Sequence, residues 1–176
     1  MDAQEPANKK PPRVVGIAGG LLGLLVGRYA GLALLIPLGA SFGIYAIARK
    51  FVKGTREIIL PAFSVQAGHL VWFCVGMLAT QQFGSNLLDV VVFGIGLTWL
   101  IRSPSKRPLL VLNVFQALAL VINGVAISEV EWGTAAHRAL TVHIIFRAVA
   151  IALNVMAIRK LQAPGSPAHL AGAAVT

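Results

Sequence analysis

GGLLGLLVGRYAGLALL, residues 19–35, has a glycine at every fourth position from Gly19 to Gly31, and Arg28 and Tyr29 interrupt its otherwise apolar run. Such a run can form one long helix striped with glycine, or two short helices joined by a turn at the arginine. The choice between these two structures decides the direction in which every later helix runs. The distribution of charge along the rest of the chain decides between the two structures.

The whole chain is unusually apolar. Of its 176 residues 57% are hydrophobic and 12% are charged, and the mean hydropathy is +0.79. This composition leaves too little polar surface to cover a water-soluble globule of this size. The apolar runs are continuous and lack the alternation of a membrane β-barrel, so the spans should be helices. We therefore predict an all-α, polytopic integral membrane protein surrounded by the lipid bilayer of the cell inner (plasma) membrane.

Most basic residues stand in four short clusters between the apolar runs. The clusters are Lys9, Lys10 and Arg13; Arg49, Lys50, Lys53 and Arg56; Arg102, Lys106 and Arg107; and Arg159 with Lys160. Because basic loops of membrane proteins concentrate on the cytoplasmic side, an even number of crossings should separate consecutive clusters. This orientation also explains the net charge of +9, so we expect no nucleic-acid partner.

An even number of crossings divides the chain into about six membrane segments with both termini in the cytoplasm. Residues 14–48 must leave the cytoplasm and return, so they are predicted to form a glycine-rich hairpin that turns at Arg28 and Tyr29. Its first arm, residues 14–27, is only about 21 Å long, so the hairpin is either transmembrane or re-entrant. Residues 58–158 are predicted to form a four-helix transmembrane bundle, and residues 1–13 and 159–176 to form cytoplasmic tails.

Glycines give the predicted hairpin a face on which helices can approach closely, because helices in lipid associate through small residues. This face can join the two arms of the hairpin, or it can hold the protein to a second copy or to another membrane protein. A homo-oligomer or a membrane protein partner is therefore expected. The glycines predicted to pack are Gly19, Gly23, Gly27, Gly31, Gly39 and Gly43.

Polar side chains recur at helical spacing inside the four later segments, and their cost in hydrocarbon predicts that they face the bundle interior. Counting 1.5 Å per residue sets Asp89 level with Arg138 and predicts a structural ion pair between them. Arg147 is left without a carboxylate at its own depth, so an anion, polar neighbours or a partner's acid should meet it. The residues expected to line a polar pathway are Arg147, His69, His143, Gln66, Gln116 and Asn123.

Three functions fit these features. The first is a transporter or channel for a small anionic or zwitterionic solute, and the alternative is a non-catalytic accessory or assembly subunit of a larger membrane complex. The third is a membrane protein that binds haem b through His69 and His143, since two histidines on different helices can supply axial ligands. The chain has no phosphate-binding loop, catalytic triad or zinc-type spacing, so we predict neither an enzyme nor a metal site, and no cofactor other than this haem.

Overall fold

The computed structural model describes residues 32–81 and 84–163, which form five α-helices and no strand. The all-helical prediction is thus confirmed for this part of the chain. The first arm of the predicted hairpin lies outside the described residues, as do Gly19, Gly23, Gly27 and Gly31. The count of six segments stays a prediction. The helices are α1 (Leu32–Ala48), α2 (Thr55–Thr80), α3 (Gly84–Arg102), α4 (Lys106–Ser128) and α5 (Ala135–Gln162).

Three of the described helices are long and apolar enough to cross a membrane, namely Thr55–Ala79, Lys106–Ser128 and Ala135–Gln162. The outward face of α4 is a row of exposed aliphatic side chains at helical spacing. A face of this kind is unfavourable in water and suited to lipid. The row consists of Val111, Val114, Leu118, Val121 and Val125. These helices indicate a helical membrane protein.

Helices α2 to α5 form a closed ring in which α2 and α4 each pack against both α3 and α5. Helix α1 lies outside the ring, mainly against α2 and to a smaller extent against α5. One apolar core cluster joins Ile59, Leu100, Leu109 and Leu161. Since these residues stand at the start of α2, the end of α3, the start of α4 and the end of α5, neighbouring helices are antiparallel.

The same antiparallel order separates the charges. The basic residues that flank the starts of α2 and α4 and the ends of α3 and α5 all lie at one end of the ring, which we call the basic end. Glu129 and Glu131 occupy the loop between α4 and α5 at the opposite, acidic end. A separation of this kind is what orientation by basic residues requires.

Helix α1 approaches α2 most closely at Gly68. A Cβ atom added there would lie 2.6 Å from the Pro37 carbonyl oxygen and 2.7 Å from the Ser41 amide nitrogen, so only glycine permits this approach. The Ser41 hydroxyl donates to the Pro37 carbonyl over 2.6 Å, which satisfies it within α1. By contrast, no described atom lies within 4 Å of a Cβ added at Gly39 or Gly43. Packing at these two positions therefore stays a prediction for a partner or for residues 1–31.

Candidate functional site

The core of the ring contains polar side chains that are almost completely buried. Gln66 and His69 of α2, Gln116 of α4, and Arg147 and Asn154 of α5 are each at most 1% exposed. Uncompensated polar groups at such positions would cost several kcal/mol each in an apolar surrounding. Their hydrogen-bond partners therefore define the site.

Arg147 is paired with a carboxylate. Its Nη2 donates to Asp89 Oδ1 over 3.0 Å, and the two side chains are 2% and 22% exposed. The expected Asp89–Arg138 pair is therefore wrong, and so is the expectation that Arg147 lacks a carboxylate. Arg138 is exposed, and its Nε donates to the Gly133 carbonyl over 3.2 Å.

The reach of the arginine side chain explains the error. Helical side chains lean toward the N-terminus of their own helix. For α5 this is the acidic end, where α3 also begins and where Asp89 stands in the second turn. Counting Cα positions underestimates how far the Arg147 guanidinium extends toward that end. The guanidinium thus reaches the level of Asp89 although its Cα lies deeper.

A chain of side-chain amides continues from Arg147 across the core. Arg147 Nη1 donates to Gln116 Oε1 over 3.1 Å, and Gln116 Nε2 donates to Gln66 Oε1 over 3.4 Å. Gln66 Nε2 then donates to Asn154 Oδ1 over 3.0 Å, and Asn154 Nδ2 donates to Asn113 Oδ1 over 2.9 Å. Together with Asp89, this amide chain links all four helices of the ring.

The direction of every bond in the amide chain follows from Arg147. A guanidinium can only donate, so Gln116 must present its oxygen to it and has only its NH₂ group left for Gln66. The same reasoning orients Gln66 and then Asn154. All of these amide dipoles consequently point their oxygens toward the cation, and aligned hydrogen bonds strengthen one another at low local dielectric. The amide chain therefore spreads the stabilisation of one buried charge over several helices.

Aromatic rings surround the same guanidinium. The Arg147 Cζ lies 5.7 Å from the ring centroids of Phe73 and Phe115 and 6.0 Å from that of Phe93. Cation–π attraction is strongest when the cation is desolvated, as it is here. The buried Arg147 Nε has no hydrogen-bond partner among the described residues. Asp89, Gln116 and the three rings thus compensate the charge.

His69 and His143 are brought together beside this cluster. His69 Nε2 and His143 Nδ1 share a hydrogen bond of 2.8 Å, and Phe73 stacks on both imidazoles at centroid distances of 4.7 and 4.6 Å. Two nitrogens in direct contact leave no room for an iron atom and a porphyrin plane between them. The arrangement therefore does not fit a haem held by these two histidines.

A cavity of about 590 Å³ adjoins the ion pair on the acidic side. Its polar lining consists of Asp89, Arg147, His143 and Asn123. Asn123 thus lies on the cavity wall, and no hydrogen bond joins it to the amide chain. Apolar side chains form the remaining walls, among them Phe115 and Leu140, and Leu88, Leu118 and Ile122 form an exposed rim.

Two members of the amide chain, Asn113 and Asn154, were not among the predicted site residues. Their spacing carried a signal, because Asn113 stands three residues before Gln116 and Asn154 seven residues after Arg147, which keeps each on the same helix face as its predicted neighbour. The other predicted polar residues, including Gln66, do converge around Arg147 and the cavity.

The described residues contain no group of three or more His, Cys, Asp or Glu side chains that could hold a metal ion. The groups that line the larger cavity can act through charge and hydrogen bonding: they are a carboxylate, a guanidinium, an imidazole and an amide.

No protein-family model matches the sequence, and no curated protein and no solved structure matches it either.

Proposed function

We propose that this chain is a membrane transporter or channel for a small zwitterionic or anionic solute, which binds in the cavity beside the Asp89–Arg147 pair. The observation that carries the proposal is the continuity between that cavity and the amide chain that crosses the core. A bundle that needed only stability could fill the same space with apolar side chains, often without loss. Ionisable residues within membrane helices are characteristic of substrate and ion pathways.

The polar groups extend over about half the depth of a hydrocarbon core. His143 and Asn154 on α5 are eleven residues apart, which corresponds to about 16 Å along the helix, roughly half of a hydrocarbon core. The cavity reaches this line of polar groups from the acidic end, and Asn113 continues it toward the basic end. The amides are hydrogen-bonded to one another across the route, so a solute can pass only when these bonds part.

The charges of the cavity favour a zwitterion. Asp89 and Arg147 neutralise each other, so a bound anion alone would leave an unbalanced negative charge in a site of low dielectric. A solute with both an ammonium and a carboxylate group can bind to Asp89 and Arg147 respectively and keep the site neutral. An anion can bind only when it replaces Asp89 as the partner of Arg147.

Uptake into proteoliposomes tests the proposal. Radiolabelled alanine is the zwitterionic probe, and lactate and isopropylammonium are its singly charged counterparts. The unmodified protein is compared with the double variant Asp89→Asn and Arg147→Gln, which removes both charges and leaves neither unpaired. Arg138→Gln is a matched control, because it removes an arginine of the same helix that is exposed and outside the cavity.

We expect protein-dependent alanine uptake that the double variant loses and the control retains. Uptake by the double variant at the rate of the unmodified protein would exclude the proposed pathway. Uptake of lactate in preference to alanine would replace the zwitterion by an anion as the solute class.

A second function, as an accessory subunit of a membrane complex, is supported by the absence of any described atom within 4 Å of a Cβ added at Gly39 or Gly43. A helix of another chain could approach the α1 backbone there, as Gly68 permits between α1 and α2. Leucine at both glycines should then release a co-purifying membrane partner while the folded chain is retained. Retention of that partner by the leucine variant would speak against this use of the face.

A further inference from the structure

A second, smaller cavity of about 140 Å³ lies at the basic end, where α1, α2 and α3 meet. Its floor is formed by α2, and its sides by the end of α1 with the following loop and by the end of α3. Arg56 contributes the aliphatic part of its side chain to the lining, and the residue itself is exposed. The other lining residues are apolar: Ala48, Val52, Ile59, Leu60, Phe63 and Ile101.

Polar and apolar groups follow one another along this groove in a fixed order. Arg56 stands in the first turn of α2, Ile59 and Leu60 follow one turn further, and Phe63 lies another turn on. The distance from Arg56 to Phe63 along the helix is about 10 Å. Because α2 is long and apolar enough to span a membrane, this direction leads from the membrane surface into the hydrocarbon.

The entrance to the groove is strongly basic. Arg49, Lys50, Lys53 and Arg56 are all exposed, and none of them forms an ion pair with a described residue. Phe51, in the same loop, is 80% exposed, and an apolar side chain beside basic residues is suited to the boundary between headgroups and acyl chains. Basic groups at the cytoplasmic ends of membrane helices attract anionic headgroups.

We propose that this groove binds one anionic phospholipid, whose phosphate pairs with Arg56 and Lys53 and whose acyl chain lies over Ile59, Leu60 and Phe63. A phospholipid matches both the charge at the entrance and the apolar lining beyond it. The segment preceding α1 is a poorer match, because the basic cluster at residues 9–13 would bring further positive charge to the same place. A second copy of the chain would likewise bring positive charge to the basic entrance of the groove. This site does not depend on the proposed transport function.

Binding of dioleoylphosphatidylglycerol to the full chain in a neutral detergent, measured by native mass spectrometry at 0.15 M salt, tests the proposal. Arg56→Gln combined with Lys53→Gln should weaken binding about thirtyfold, from the contribution of each cation near an anionic lipid. Lys106→Gln with Arg107→Gln removes the same charge from α4, which lies across the ring from α2. That control should change the affinity less than threefold. Equal losses in the two double variants would overturn the site.

The acyl chain is tested separately from the charge. Val52→Phe should narrow the groove and weaken binding at least tenfold without altering any charge, and Ala48→Leu serves the same purpose if the first variant does not fold. Dioleoylphosphatidylcholine should not displace the anionic lipid, and neither should glycerol phosphate, which has an anionic phosphate but no acyl chains. Unchanged affinity in a folded groove variant, or displacement by glycerol phosphate, would show that no acyl chain occupies the groove.

Discussion

Removal of either member of the Asp89–Arg147 pair should destabilise the bundle, and the two losses should be unequal. Asp89→Asn leaves a guanidinium that is 2% exposed, so we expect the loss of about 3–5 kcal/mol typical of a broken buried pair. Arg147→Gln leaves a carboxylate that is 22% exposed and lines the cavity. Because water can hydrate this carboxylate, its cost should be smaller, about 2 kcal/mol.

The double variant contains neither charge and should be no less stable than Asp89→Asn alone. The coupling free energy of the pair would then be at least about 2 kcal/mol, within the range found for residues in contact. Unfolding in mixed micelles with increasing sodium dodecyl sulfate, followed by far-ultraviolet circular dichroism, measures all four proteins. Arg138→Gln should shift the free energy of unfolding by less than about 0.5 kcal/mol, as expected for an exposed side chain.

Two results would refute this reasoning. Additive losses in Asp89→Asn and Arg147→Gln would mean that the two side chains do not interact. If Arg138→Gln lowered the free energy of unfolding as much as Asp89→Asn, Asp89 would pair with Arg138, as expected from counting residues along the helices.

Three further changes should alter the free energy of unfolding in the same assay. Gly68→Ala should cost about 1–3 kcal/mol because its Cβ would overlap Pro37. Gly94→Ala, whose added Cβ has no described atom within 4 Å, should cost nothing and could gain up to about 1 kcal/mol. Equal effects of the two substitutions would contradict the close approach of α1 to α2. Asn154→Leu should cost at least about 2 kcal/mol, since it leaves two amide-chain partners unsatisfied, and a neutral result would contradict the amide chain. Thr134→Ala should cost about 1 kcal/mol by removing the α5 cap, and Thr134→Ser should retain it.

Much of the fold could be predicted because it depends on properties of single segments. The apolar length of α2, α4 and α5 is a local property, and so is the spacing that gathers Gln116 and Arg147 on inward faces. A polar side chain in an apolar helix is costly in hydrocarbon, so it faces the bundle interior. Both features are visible without knowledge of how the helices pack.

The pairings between helices could not be obtained in the same way. Counting residues matched Asp89 with Arg138, because it located Cα atoms and neglected the length and direction of the Arg147 side chain. The glycine at the α1–α2 contact could not be predicted for a related reason: Gly68 is an isolated glycine, whereas Gly39 and Gly43 belong to a regular series that is typical of helix packing.

The sequence by itself determined that residues 32–81 and 84–163 form an all-helical structure suited to a membrane, with basic residues between apolar segments and polar residues on inward faces. Only the tertiary structure decided which side chains bond: Asp89 with Arg147, the direction of the amide chain, the contact of His69 with His143, and the two cavities. The physical reason is one of scale. Composition and periodicity describe each helix to within about one turn, which is 5.4 Å along the axis. A hydrogen bond is made or lost over less than 1 Å, so the stagger and rotation of packed helices must be known before its partners can be assigned.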